Sequence, residues 1–270
     1  MLYNLFDSHT HSDNSFDGTH SIMFMCESAI ARGLLGIAVT DHADIDFFEE
    51  QQFLRRLGQS YFEVQKARSA FGSGFALSSG IEIGEPDADP ALADRALAAG
   101  KFDFVIGSVH SVWDKKDPYY MNFAGEDDPY AVLGAYFDRM QLLLDWGKFD
   151  VLGHLTYPMR YIARDGRDDV TLERFDGVID EILRRVAHAG KGIEINTSGL
   201  RQPLGLTMPT LRYVRRYREL GGEIITIGSD AHRAEDLGAG VADGMELARA
   251  AGFRYFCFYK RREPRMLRLY

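Results

Sequence analysis

Six of the eight histidines stand where a predicted β-strand gives way to the segment after it: His9, His11, His42, His110, His154 and His232. His20 and His188 do not. Imidazole nitrogens bind divalent transition metals, and carboxylates beside them add hard oxygen ligands and offset the cations' charge. A lone histidine at a strand end is more often a hydrogen-bonded structural residue, but six at equivalent positions predict a cluster of ions. In Asp7-Ser8-His9-Thr10-His11 the two imidazoles are two residues apart. On an extended segment residues i and i+2 point the same way, so His9 and His11 can grip one ion together. The same relation joins Asp230 to His232 in Gly228-Ser229-Asp230-Ala231-His232. Thr40-Asp41-His42 adds another imidazole, and Gly80-Ile81-Glu82 ends an apolar run on a carboxylate. That carboxylate is costly to bury alone and reasonable if it bridges two cations. Asp17, in Asp13-Asn14-Ser15-Phe16-Asp17-Gly18, is either a further ligand or part of an Asx turn. With only Cys26 and Cys257 present, neither a thiolate zinc site nor a disulfide framework is supported.

Such residues meet only if the strands that carry them run parallel. Short apolar runs at residues 2–7, 36–40, 75–82, 102–108, 150–154, 192–196 and 224–228 alternate with segments of helical period at 21–32, 53–70, 90–99, 130–146, 172–189, 209–220 and 234–250. This is the pattern of βα units on a parallel sheet. An eighth apolar run covers residues 254–259. Pro90, Pro129 and Pro209 sit at expected first helical turns, and Gly33, Gly72, Gly100, Gly147, Gly190 and Gly221 follow expected helix ends. Seven regular units predict a closed α/β barrel, whose strand C-termini converge on one face. An open doubly wound sheet is the alternative; it would usually carry a Gly-rich turn after the first strand, where this chain has Ser8-His9-Thr10-His11.

At these residues the chain resembles the PHP family, named for polymerase and histidinol phosphatase, and within it the monofunctional histidinol-phosphatase branch. The resemblance rests on Asp7-Ser8-His9-Thr10-His11, Thr40-Asp41-His42, Gly80-Ile81-Glu82, Gly107-Ser108-Val109-His110, Gly153-His154 and Gly228-Ser229-Asp230-Ala231-His232, in family order over nearly the whole chain. It implies a distorted (βα)7 barrel, a TIM-like α/β fold, with three divalent ions of zinc, manganese or iron. His9, His11 and Asp230 would hold one ion with a bridging Glu82; Glu82, His110 and His154 the second; Asp17, His42 and His232 the third. It further implies hydrolysis of L-histidinol phosphate by a metal-bound hydroxide, with Glu82, Asp17, Asp230 and His232 as candidate catalytic residues and the general acid unassigned. Arg160 and Arg201 stand in loops leaving two of the strands, look like the phosphate-binding arginines of that branch, and suit a phosphate monoester. Arg233 is as readily a solvated cation. Glu85, Asp87, Tyr119, Tyr120 and Tyr161 are candidate contacts for the organic part, and residues 113–128 form either a lid or an ordinary loop.

The 270 residues, 46% hydrophobic and 26% charged, fit one domain spanning 1–270. A net charge of -9 and the lack of a basic run before Lys260-Arg261-Arg262, read as a solvated end, argue against nucleic acid and for a small-molecule phosphate ester. No signal peptide and no apolar stretch long enough to span a membrane are visible, which predicts a cytoplasmic protein without membrane attachment. Oligomeric state is not legible. Two other functions stay open: a phosphodiesterase or exonuclease built on the same ions, and a non-catalytic metal-binding domain.

Overall fold

The computed structural model describes residues 4–269. The elements run β1 (Phe6–Thr10), α1 (Ile22–Ala31), β2 (Gly36–Val39), β3 (His42–Asp44), α2 (Phe53–Phe71), β4 (Ala76–Gly84), α3 (Pro90–Leu97), β5 (Phe104–Ser108), α4 (Pro129–Trp146), β6 (Val151–Leu152), α5 (Met159–Arg164), α6 (Asp176–His188), β7 (Gly192–Asn196), α7 (Leu211–Glu219), β8 (Ile225–Gly228), α8 (Val241–Ala250), β9 (Tyr255–Lys260) and β10 (Glu263–Arg268).

The strands pair in the order β1-β2-β4-β5-β6-β7-β8, all parallel, and β3 continues the line of β2 by pairing with β4. Seven strand positions therefore form the wall. It closes between β1 and β8 through a bridge from Thr10 to Ala231, with the Asp230 amide donating to the His9 carbonyl at 2.9 Å and the His11 amide to the Ala231 carbonyl at 2.8 Å. The α/β (βα)7 barrel expected from the sequence is the one observed.

Local sequence explains most element boundaries. Asp89 and Asp128 cap α3 and α4, each followed by a proline in the first turn, and Gly147 closes α4 at φ 66°. The differences have physical causes. Of the first expected strand, residues 2 and 3 lie outside the described residues, and extended structure runs instead through the polar residues to Thr10. Their polar groups find partners across the barrel: Asp7 accepts from the Ser229 and Gly238 amides at 2.8 and 2.9 Å. α7 starts at Leu211 rather than Pro209, because Thr210 is extended, at φ −74° and ψ 168°, and stands as the residue before the first turn. The expected helix at 234–250 is interrupted by Gly238 and Gly240, both at φ 73°, and only Val241–Ala250 is α-helical.

The eighth apolar run is not a barrel strand. β9 pairs antiparallel with β10, and Phe258 and Tyr259 stack on Phe6 and Phe104, at centroid distances of 4.6 and 4.8 Å, under the N-terminal ends of β1 and β5. The basic Lys260-Arg261-Arg262 segment is correspondingly an exposed hairpin turn rather than a chain end. Arg261 and Arg262 have φ 55° and 63°, and Arg262 Nε donates to Asp150 at 2.6 Å. Among the described residues no helix is long and apolar enough to cross a membrane.

Candidate metal centre

All nine side chains singled out as metal ligands gather at the open, C-terminal end of the barrel strands. Glu82 is their hub, buried to 1% exposure on β4 opposite His42 of β3. Its Oε2 lies 3.2 Å from His9 Nε2, 3.5 Å from His11 Nε2 and 3.1 Å from His42 Nδ1. Its Oε1 lies 2.8 Å from His154 Nε2 and 3.2 Å from His110 Nε2. Asp230 Oδ1 stands 3.8 and 3.4 Å from the Nε2 atoms of His9 and His11. At the mouth, Asp17 Oδ2 lies 3.1 Å from His232 Nε2 and Asp17 Oδ1 3.7 Å from His42 Nε2; the two imidazole nitrogens are 3.4 Å apart.

These separations fit divalent ions. Ligand atoms about 2.1 Å from a common tetrahedral ion lie about 3.4 Å from one another, the spacing found among His9, His11, Glu82 and Asp230. His9 Nε2, His11 Nε2 and His42 Nδ1 are buried with no hydrogen-bond partner among the described residues, an arrangement that costs free energy unless something binds them. Distance alone admits more than one partition, since His11, His42 and His232 also form a compact group, as do His42, Glu82 and His110.

Charge tells the same story. Burial works against ionised groups here, yet Glu194, Glu82 and Asp230 hold the His9 imidazole well above its ordinary range, and Glu82 and Asp44 do the same for His110. Despite burial, Asp17 and Glu82 raise His42 to about 9. His11 is driven down by burial and by the neighbouring His42 and His232. The carboxyls of Glu82 and Asp230 stay well below their usual values, burial being outweighed chiefly by His9 together with His110 for Glu82 and His11 for Asp230. A carboxylate cluster that draws protons onto imidazoles is one that draws cations.

A second layer aims the ligands, and the sequence reading did not assign it. His9 Nδ1 faces Glu194 Oε1 at 2.7 Å, leaving Nε2 for the centre. Glu194 also receives the His154 amide at 2.9 Å. It lies in Gly192-Ile193-Glu194-Ile195, the same pattern as Gly80-Ile81-Glu82-Ile83, and that repeat was a readable signal. His110 Nδ1 faces Asp44 at 2.8 Å. Asp41 accepts from Ser12 N and Oγ and from Ser15 Oγ, and Ser15 Oγ in turn reaches His11 Nδ1 at 3.2 Å. Partners of this kind set the tautomer and orientation of a ligating imidazole.

The cluster opens into a cavity of about 870 Å³ whose lining includes Arg160, Arg164 and Arg233 together with Phe16, Tyr119 and Tyr157. Arg160 is held by Ser198 Oγ at 3.2 Å and Asp230 Oδ2 at 3.3 Å, against the faces of Tyr157 and Tyr161. Its buried Nε has no partner among the described residues. Arg201 does not line the cavity: its Nη2 donates to the Asp230 carbonyl at 3.0 Å and its Nε lies 3.6 Å from Asp236. Arg233, read as equally apt for solvent, does line it. The 113–128 segment is largely exposed and is anchored by the buried Pro118, Met121 and Phe123, with Asp117 receiving the Tyr157 hydroxyl at 3.1 Å. His20 stays outside the cluster, against Thr19 and the Ala234 amide.

The PHP domain model matches residues 7–198. A probable histidinol-phosphatase of Clostridium acetobutylicum is 29% identical over 95% of this chain and 98% of its own length. The histidinol-phosphatase of Lactococcus lactis is 28% identical over 92% of this chain and 91% of its own. A crystal structure of the Lactococcus lactis histidinol phosphate phosphatase, complexed with zinc, L-histidinol and phosphate, superposes with a TM-score of 0.80 at 24% identity, covering 96% of this chain and 98% of that one. That likeness is one of fold.

Proposed function

The chain belongs to the PHP domain family, and from that premise we propose that it is a metal-dependent phosphomonoesterase that hydrolyses L-histidinol phosphate to L-histidinol and phosphate. The observation that carries this reading is the clustering of nine nitrogen and oxygen ligand residues, with Glu82 as their hub, at a cavity lined partly by arginines. Relatives of nearly the same length named as histidinol-phosphatases support the substrate.

His9, His11, Asp230 and Glu82 would hold one ion, Glu82, His110 and His154 a second, and Asp17, His42 and His232 a third. Zinc, manganese or iron suits this donor set. Bound there, divalent ions activate water at neutral pH and neutralise charge on the phosphoryl oxygens and the leaving alkoxide. The chain supplies the rest. Arg160, clamped between Asp230 and two tyrosine rings, offers a preorganised guanidinium to a non-bridging phosphate oxygen. Arg233 lines the same cavity, and Arg201 acts on phosphate through the Asp230 backbone that it holds. Asp17 is 40% exposed, the most open of the clustered carboxylates. With His42 and His232 it would hold the ion that meets the departing alkoxide.

The test is phosphate release from L-histidinol phosphate beside a panel of other phosphomonoesters and a phosphodiester, with protein purified without chelator and supplied with manganese or zinc. Preferential turnover of histidinol phosphate is expected. Turnover of other monoesters alone would overturn the substrate, preference for the diester would turn the reading to a phosphodiesterase, and a fully metallated protein inert on every ester would leave only a metal-binding domain.

A further inference from the structure

Asp7 is a carboxylate that none of the three proposed ion groups uses. It is fully buried on β1, and its partners among the described residues are neutral donors. Oδ1 accepts the Ser229 amide at 2.8 Å and the His9 amide at 3.4 Å; Oδ2 accepts the Ser229 hydroxyl and, at 2.9 Å, the Gly238 amide. A charge buried without an opposite one is costly. What it holds is therefore informative: three of these four bonds reach the segment that leaves β8, and two of them grip a single residue, Ser229.

The next residue, Asp230, has φ 55°, a left-handed conformation that residues other than glycine adopt at a cost and keep only where their surroundings impose it. Here the backbone is held on both sides. The Asp230 amide donates to the His9 carbonyl at 2.9 Å, Arg201 Nη2 donates to the Asp230 carbonyl at 3.0 Å, and Asp7 fixes the residue before. In this conformation the side chain presents Oδ1 at 3.8 and 3.4 Å from the Nε2 atoms of His9 and His11, and Oδ2 at 3.3 Å from Arg160. Release of Ser229 lets the turn relax toward an ordinary φ and swings the Asp230 carboxylate off this line. Asp7 also stands two residues before His9, so a single group sets two ligand residues against each other across the seam where β1 meets the end of β8.

We propose that Asp7 is a positioning residue: by holding Ser229 it keeps Asp230 in the left-handed turn, and so sets the affinity of the ion assigned to His9, His11 and Asp230. It acts through Asp230 and not on the substrate. This rests on the metal-centre reading and deepens it.

The experiment measures zinc and cobalt(II) affinity by competition with a chromophoric chelator, and the visible spectrum of the cobalt form. The proteins are wild type, Asp7→Asn, Ser229→Ala, Asp230→Ala and the double variant Asp7→Asn/Asp230→Ala. Asp7→Asn keeps the size of the side chain and replaces one acceptor oxygen by an N–H donor. It is expected to weaken one ion about 10- to 100-fold, to perturb the cobalt bands that Asp230→Ala removes, and to leave the other ions as in the wild type. Added to Asp230→Ala it should cost less than about a further twofold, because the carboxylate it positions is gone. A merely structural role would lower the melting temperature without any of these changes. Wild-type affinity for every ion in folded Asp7→Asn overturns the inference, and so does a uniform weakening of all ions or full additivity with Asp230→Ala. If Asp7→Asn does not fold, Ser229→Ala decides, since it removes only the hydroxyl bond: a loss of about 3- to 10-fold at the same ion is expected, and unchanged affinity overturns the inference. If the wild type binds no divalent ion, the metal-centre reading itself falls.

Discussion

His42 shows how the cluster depends on what neutralises it. Its two ring nitrogens face Asp17 and Glu82, and its imidazole, ordinarily at 6.5, is raised to about 9 in the protein without ions. A group with a raised folded value contributes stability that is fully present below about 6.5 and is lost as the pH rises through 9. Glu85, raised from 4.5 to about 8, loses its contribution over the same side of the scale. Glu82 and Asp230 are depressed, so theirs is lost instead as the pH falls into the acid range. Chelator-stripped protein is therefore expected to melt highest in mildly acidic buffer and at steadily lower temperature from pH 6.5 to 9. Added zinc or manganese should raise the melting temperature most at the alkaline end, because ions must displace these protons. A melting temperature of the stripped protein that is flat or rising across that interval would contradict this electrostatic account. The ligand residues themselves were legible because histidines at strand ends are visible one by one. Asp41 and Asp44 were not, since what they do depends on Ser15 and on the far ring nitrogen of His110, contacts that no local pattern announces.

Strands deliver these side chains to one another only because certain positions carry no Cβ. Gly228 of β8 lies between β1 and β7, and a Cβ there would stand 2.3 Å from the His9 Cβ and 2.5 Å from Glu194 Oε1. Neither can retreat, the first being anchored to a strand backbone and the second to the His9 ring. Gly228→Ala is expected to lose about 1–3 kcal/mol of stability and to weaken metal binding by roughly 10- to 100-fold through the displaced His9–Glu194 pair. Gly58 on α2 is the control, as its Cβ would meet nothing within 4 Å. Gly58→Ala should gain up to about 1 kcal/mol and keep its ions. Metal content after gel filtration, with melting curves, separates the two; a Gly228→Ala protein with a full complement of ions would refute the packing argument. At this scale the alternation of apolar runs and helical segments was readable, and so were the prolines heading α3 and α4. The apolar run ended at Asp7, and that the strand continues through the polar Ser8, His9 and Thr10 was not announced by it, because what fixes this end is remote: Asp7 is held by the Ser229 and Gly238 amides and Thr10 bridges to Ala231, more than two hundred residues away.

The whole molecule divides its labour between the two ends of the barrel. The strand C-termini carry the ions and the cavity, while the opposite mouth is stoppered by the β9–β10 hairpin, whose apolar run looked from sequence like one more strand. Tyr259 is 3% exposed and lies nearly parallel to Phe104, at 14°. Its main-chain carbonyl takes the Ser78 hydroxyl at 2.7 Å, tying the stopper to β4. In α/β barrels the two faces are separable in this way, chemistry at one and stability at the other. Removing a buried aromatic ring costs about 3–5 kcal/mol, which in a chain of this size lowers the melting temperature on the order of 10 °C. Tyr259→Ala is thus expected to melt early but, below its transition, to bind the same number of ions and turn over ester with unchanged kcat and KM. Arg160→Ala should do the reverse, keeping much of its melting temperature and losing turnover. If Tyr259→Ala lost metal or changed KM while still folded, the floor of the barrel would be coupled to the centre, and the division between its two ends would have to be abandoned.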